Sequence, residues 1–121
     1  MRVLIRVVLG AMVIAIVAGS LVSGMTAWPT GLTPGWTHLL AYPVLGALMT
    51  LAFRSRRGGV LLAFGLTASI GTGVEFSQML VPVRTFSFLD LGINVVGAGF
   101  GVLVGWFFGV LVGRWGRRVG L

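Results

Sequence analysis

Apolar residues fill long stretches of the 121-residue chain, and polar ones gather at a few points between them. No charged residue occurs between Arg6 and Arg54, between Arg57 and Glu75, or between Asp90 and Arg114. Gaps of this size hold runs of about 20 apolar residues, the length that crosses a bilayer core as a helix. Four such segments stand out, at about residues 3–23, 36–53, 60–81 and 88–112. All four are expected to be helices, because four strands cannot close a barrel and an open sheet leaves backbone groups unpaired in lipid. The connections, residues 24–35, 54–59 and 82–87, are short enough to make successive helices antiparallel neighbours. The expected fold is therefore all-α, a compact four-helix transmembrane bundle in a single domain.

Composition sharpens this picture. Hydrophobic residues make up 57% of the chain and charged ones 9%, far from soluble usage. The net charge of +7 does not point to nucleic acid, because the arginines sit on the short flanks of apolar runs, where they set topology. Arg2 and Arg6 precede the first segment, and Arg54, Arg56 and Arg57 join the second to the third. Arg114, Arg117 and Arg118 follow the fourth. An even number of spans puts all eight on one side, which the positive-inside rule makes cytoplasmic, together with both termini. Arg84 alone falls on the other side. Trp28 and Trp36 then lie at the outer interface and Trp115 at the inner one, as an aromatic belt requires. The N-terminal run also resembles a signal peptide, but no small-x-small cleavage site precedes an exported domain, so an uncleaved first helix is expected. The expected location is the cell membrane, crossed several times, with membrane lipids as immediate partners.

Small residues recur at a spacing of four. The fourth segment carries Gly97, Gly101, Gly105, Gly109 and Gly113, the first Ala11, Ala15, Gly19 and Ser23, and the third Gly65, Ser69, Gly73 and Ser77. In lipid such stripes let helix backbones approach and gain dispersion contacts. They are expected to pack the bundle within one chain; the alternative is that the glycine stripe of the fourth helix also makes a homo-oligomer.

The two acids of the chain, Glu75 and Asp90, fall in one segment with Gln78, Arg84 and Asn94. Folding the third and fourth helices into a hairpin about Arg84 brings Glu75 to the depth of Asn94, and Gln78 to that of Asp90. At about 1.5 Å per residue the deeper pair lies on the order of 10 Å below the helix ends. His38 and Tyr42, one turn apart on the second helix, fall at the same outward level. An isolated carboxylate facing lipid costs roughly 2.5–3.5 kcal/mol on insertion scales, so Glu75 should face inward and find partners. With His38 neutral, two acids and one arginine sum to minus one, which calls for a proton or a cation in the cluster.

Several residues also admit purely structural roles. Ser87-x-x-Asp90 before an apolar run has the form of a capping box, so Asp90 can serve to close the fourth helix. Tyr42 suits an interfacial aromatic and Asn94 an interhelical hydrogen bond. A single histidine and no cysteine exclude multi-histidine and thiolate metal sites, and no metal or cofactor is expected. No nucleophile elbow, phosphate-binding loop or dinucleotide fingerprint is present.

The order Glu75-x-x-Gln78, Arg84, Asp90-x-x-x-Asn94-x-x-Gly97 resembles the VanZ-like membrane proteins, and the upstream His38-x-x-x-Tyr42-x-x-x-Gly46 is similar to that family's His-x-x-x-Tyr segment. The resemblance covers about residues 36–101. It departs where family members commonly carry an Asp-Lys pair shortly before the histidine, since Pro34-Gly35 stands there. The resemblance implies a small polytopic envelope protein linked to glycopeptide (teicoplanin) resistance. An outward pocket would then recognise a lipid headgroup, a cell-wall precursor, a glycan or a glycopeptide. Tyr42, Gln78, Arg84, Asp90 and Asn94 are its candidate binding residues. If a reaction occurs, Glu75 is the first candidate for general acid or base and His38 the second. The alternatives from other classes are a proton- or cation-coupled transporter with Glu75 as carrier, and a structural or accessory membrane protein.

Overall fold

The computed structural model describes residues 2–22, 34–80 and 88–120, with side chains for all of these except 19–22, 34–39 and 78. Four helices follow in order, α1 (Arg2–Val22), α2 (Pro34–Phe53), α3 (Gly59–Gln78) and α4 (Phe88–Arg118). The described residues form an all-helical bundle, as the charge-free segments imply. Each helix begins close to its expected position. The difference lies at the end of α4, which continues to Arg118 rather than stopping near residue 112. Leaving the apolar run does not end a helix, because arginine is a good helix former and Arg117 and Arg118 in the last turn complement the negative end of the helix dipole.

The turn between α2 and α3 is tight and fully hydrogen-bonded. Arg56 N donates to Phe53 O at 2.9 Å, Gly59 N to Arg56 O at 3.0 Å, and Leu62 N to Gly58 O at 2.9 Å. Gly58 has φ of 68°, a left-handed conformation in which a side chain is strained, and a Cβ on Gly59 would collide with the Phe53 carbonyl. The Gly58-Gly59 pair thus lets the chain reverse within five residues and throws Arg54, Arg56 and Arg57 outward, all exposed.

The closest packing in the bundle is between α2 and α4. A Cβ on Gly101 would overlap the backbone of Pro43, one on Gly105 would lie 2.6 Å from Ala47 O, and one on Gly46 would lie 2.7 Å from Ala98 O. These helices touch backbone to backbone, which the glycine stripe of α4 permits. Pro43 contributes as well, with its ring 3.1 Å from where a Gly97 side chain would begin. Lower on the stripe, Gly109 faces only the Leu51 and Arg54 side chains, and Gly113 faces open space.

Most described members of the stripes expected on the other two helices do not pack; Ser77 is half-buried, and the surroundings of Gly19 and all of Ser23 lie outside the described residues. Ala11 and Ala15 of α1 are exposed, as are Gly65, Ser69 and Gly73 of α3, and a side chain at Gly65 or Gly73 would meet nothing. The buried row of α3 is Ala63, Thr67, Gly71 and Glu75, displaced by two residues from the stripe and so on the opposite side of the helix. Helix α1 instead lays Leu9, Met12, Val13 and Ile16 against the core of Tyr42, Leu45, Met49, Ala63 and Val102.

Seen from outside, the bundle is inverted relative to a soluble protein. Leu61, Phe100, Leu103 and Phe107 are each at least 60% exposed, whereas Thr50, Thr67, Glu75 and Asn94 are at most 1% exposed. The threonines are satisfied inside their own helices, Thr50 donating to Gly46 O at 2.9 Å and Thr67 to Ala63 O at 2.8 Å. Helices α3 and α4 are long and apolar enough to cross a membrane. At about 1.5 Å per residue α4 reaches roughly 46 Å, longer than a hydrocarbon core of about 30 Å.

Candidate functional site

Three helices converge on one buried polar cluster. Tyr42 reaches it from α2, Glu75 from α3 and Asn94 from α4, with relative exposures of 1%, 0% and 0%. The helices come close enough at Gly71, because α3 carries no side chain there. A Cβ on Gly71 would lie 2.9 Å from Asn94 Cβ and 3.2 Å from the Tyr42 ring. Both side chains therefore press against the α3 backbone in the space that a side chain would fill.

Asn94 fixes the register of α3 against α4. Its Nδ2 donates to Gly71 O at 3.2 Å, a hydrogen bond between helices made in the dry interior. That carbonyl is already part of the α3 ladder, so the asparagine uses its second lone pair and breaks nothing. Asn94 is thus level with Gly71, one turn (about 6 Å) deeper along α3 than Glu75. Sequence reasoning placed the two at the same depth; they are neighbours on successive turns. Glu75 lies on the same face of α3 as Gly71, four residues on, and within electrostatic reach of the Tyr42 phenol.

Of the remaining candidates only Asp90 has a described side chain. Asp90 is half-buried in the first turn of α4, one turn before Asn94, where its negative charge also favours the helix N-terminus. His38 lies in α2 one turn before Tyr42, and Gln78 closes α3 three residues after Glu75; their side chains lie outside the described residues. So do residues 81–87, with Arg84 and the capping serine Ser87, and residues 23–33 with Trp28. Among the described residues no three histidine, cysteine or acidic side chains form a group able to hold a metal ion.

Gly71 is the member of the cluster that sequence reasoning overlooked. The signal was present in the row Ala63-x-x-x-Thr67-x-x-x-Gly71-x-x-x-Glu75, small at each step and ending on an acid that cannot face lipid. Pro43 was likewise passed over, although a proline inside an apolar helix next to the one buried tyrosine marks a local departure from regular packing.

Chemically, the cluster offers a carboxyl, a phenol and a carboxamide on three rigid helices, with polar side chains one turn nearer the ends of α2, α3 and α4. No curated protein and no solved structure is found to match the chain. A family model does: that of VanZ/LLP1 covers residues 12–109, from the middle of α1 to about two thirds of the way along α4, and includes Tyr42, Glu75 and Asn94. The chain belongs to the VanZ/LLP1 family.

Proposed function

We propose that the chain is a multi-pass cell-membrane protein with both termini in the cytoplasm, and that its polar cluster recognises a polar group of a lipid, glycan or glycopeptide from the outer side. The observation that carries this reading is the complete burial of Glu75 beside Tyr42 and Asn94, in a bundle whose exterior is apolar. Stability alone does not call for such an acid. An apolar side chain of similar size would avoid the desolvation cost, so a buried intramembrane carboxyl is retained for what it binds or transfers. Asn94 and Gln78 would supply hydrogen bonds, Tyr42 an aromatic wall with a hydroxyl, and Arg84 with Asp90 the charged entrance. The family's link to teicoplanin resistance makes cell-wall precursors and glycopeptides the first ligands to test.

Topology is tested with cysteines in an otherwise cysteine-free chain. Leu80→Cys, just beyond the end of α3, should react with an impermeant maleimide on intact cells. Ser55→Cys in the α2–α3 turn should react only after permeabilisation. The opposite pattern would invert the bundle and close the outer side to the cluster.

Recognition is tested by thermal unfolding of the purified protein in detergent with teicoplanin or a lipid-linked cell-wall precursor. A ligand at 100 times its Kd stabilises by about 2.7 kcal/mol, a readily measured rise in Tm. If none of the ligand classes raises Tm, the cluster is scaffolding. Proton flux in reconstituted vesicles, lost in Glu75→Gln, would instead make the acid a carrier, a reading that an intramembrane carboxyl also favours.

A further inference from the structure

At the arginine-bearing end of the bundle a crevice of about 190 Å³ opens between α1, α2 and α4. Ile5, Leu51 and Phe108 give it apolar walls, and Arg2, Arg54 and Ser55 line it with polar groups. We propose that this crevice binds the phosphate of an anionic phospholipid from the leaflet on the arginine side, with the adjoining methylenes against the apolar walls. The site is separate from the Tyr42–Glu75–Asn94 cluster and takes a different ligand.

Arg2 of α1 and Arg54 of the α2–α3 turn are far apart in sequence and line one crevice only because the bundle folds. Arg54 makes one long hydrogen bond, its Nη1 donating to Gly109 O at 3.5 Å, a weak tether beside the crevice. A guanidinium carries five N–H donors, so that tether leaves most of its hydrogen-bonding capacity for an anion, and its geometry suits phosphate oxygens in pairs. Arg56 is used differently, lying over the Phe53 ring at 5.7 Å.

The local charge cannot be balanced from within the chain. Its two acids are Glu75 and Asp90. Asp90 opens α4 and lies about 36 Å of helix from Arg114, and Glu75 lies about 24 Å along α3 from the turn that bears Arg54. An anion from outside the chain is therefore favoured there, and the anions concentrated at a membrane surface are lipid headgroups. The apolar walls decide between a lipid and a free ion. Inorganic phosphate would leave Ile5, Leu51 and Phe108 wet, whereas a lipid covers them with its own chain.

The test uses the whole purified chain in mild detergent, titrated with phosphatidylglycerol, phosphatidylcholine or inorganic phosphate and read by native mass spectrometry and by Tm. Phosphatidylglycerol should be retained at a concentration at least about tenfold lower than phosphatidylcholine, as two surface arginines imply. Arg2→Gln/Arg54→Gln should abolish that preference. Arg117→Gln/Arg118→Gln removes the same charge at the tip of α4 and should keep it. Ser55→Asp, which retains both arginines and adds an anion to the lining, should also abolish it, so a poorly folding double variant does not end the test. Equal retention of the two lipids, or equal loss in the Arg117/Arg118 variant, would overturn the site. Inorganic phosphate raising Tm as strongly as phosphatidylglycerol would show an anion site without lipid. Glu75→Gln should leave all of these readings unchanged, which separates failure here from failure of the outer cluster.

Discussion

Gly101→Leu should abolish the folded protein. The first side-chain atom at that position would overlap the carbonyl of Pro43, and the contacts beside it are nearly as close, Gly105 of the stripe against Ala47 and Gly46 of α2 against Ala98. A flexible side chain can move aside, but two helix backbones can only separate. Overpacking in a core costs typically 1–3 kcal/mol where side chains can give way, and the cost here should reach or exceed the upper end of about 3 kcal/mol. Separating α2 from α4 would also open the interior that covers Tyr42 and Asn94. We expect little monodisperse protein after extraction in mild detergent. Gly113→Leu is the control, since a side chain there meets nothing within the chain; it should express and melt like the parent. Equal behaviour of the two variants would mean that α2 and α4 are not in contact where the stripe places them.

Glu75→Gln should have the largest effect on function and almost none on folding. The substitution keeps the volume of a completely buried side chain and most of its hydrogen-bonding capacity while removing the charge. A neutral amide is cheaper to hold in a dry interior than a carboxylate, so the unfolding temperature should stay equal to that of the parent or rise slightly. Whatever resistance or transport phenotype the parent confers should nevertheless be lost. A double-mutant cycle with Arg84→Gln tests whether the two charges are partners: recovery of stability in the double variant, relative to Arg84→Gln alone, would pair them across the α3–α4 connection. A parental phenotype for Glu75→Gln would show that the acid serves only the scaffold.

Much of this architecture can be read from the residues, and the reasons differ by element. Helix positions are legible because the charge-free runs are long and the arginines that bound them are few. The packing face of α4 is legible because only one row of α4 is glycine at every fourth position, but that its partner is α2 is not. The face of α3 is not, because small residues occupy two rows offset by two residues, which on a helix means about 200° apart. Ala63, Thr67 and Gly71 look no more compact than Gly65, Ser69 and Gly73 until Glu75 is counted as the end of the first row. The acid, not the glycines, decides which face turns inward. The end of α4 escaped for another reason: a change from apolar to basic residues marks where a helix leaves the hydrocarbon, not where its hydrogen bonds stop. At the site, Tyr42, Glu75 and Asn94 could be grouped because each is too polar to face lipid. The role of Gly71 depends on how closely three helices approach, and that distance follows only from packing.

The α2–α4 contact also bears on the order in which the protein is built. Helices that touch backbone to backbone here are not consecutive, since α3 lies between them in the chain. During synthesis α2 and α3 must therefore wait in the membrane with Tyr42 and Glu75 lacking the cover that α4 brings. The hairpin closes only when the stretch from Asn94 to Gly105 has emerged and docked. A chain that stops before Gly97 would leave Pro43 and Ala47 of α2 without the helix backbone that covers them. Completion of α4 is thus the step that covers Tyr42 and Glu75, and the glycine row is what lets it dock.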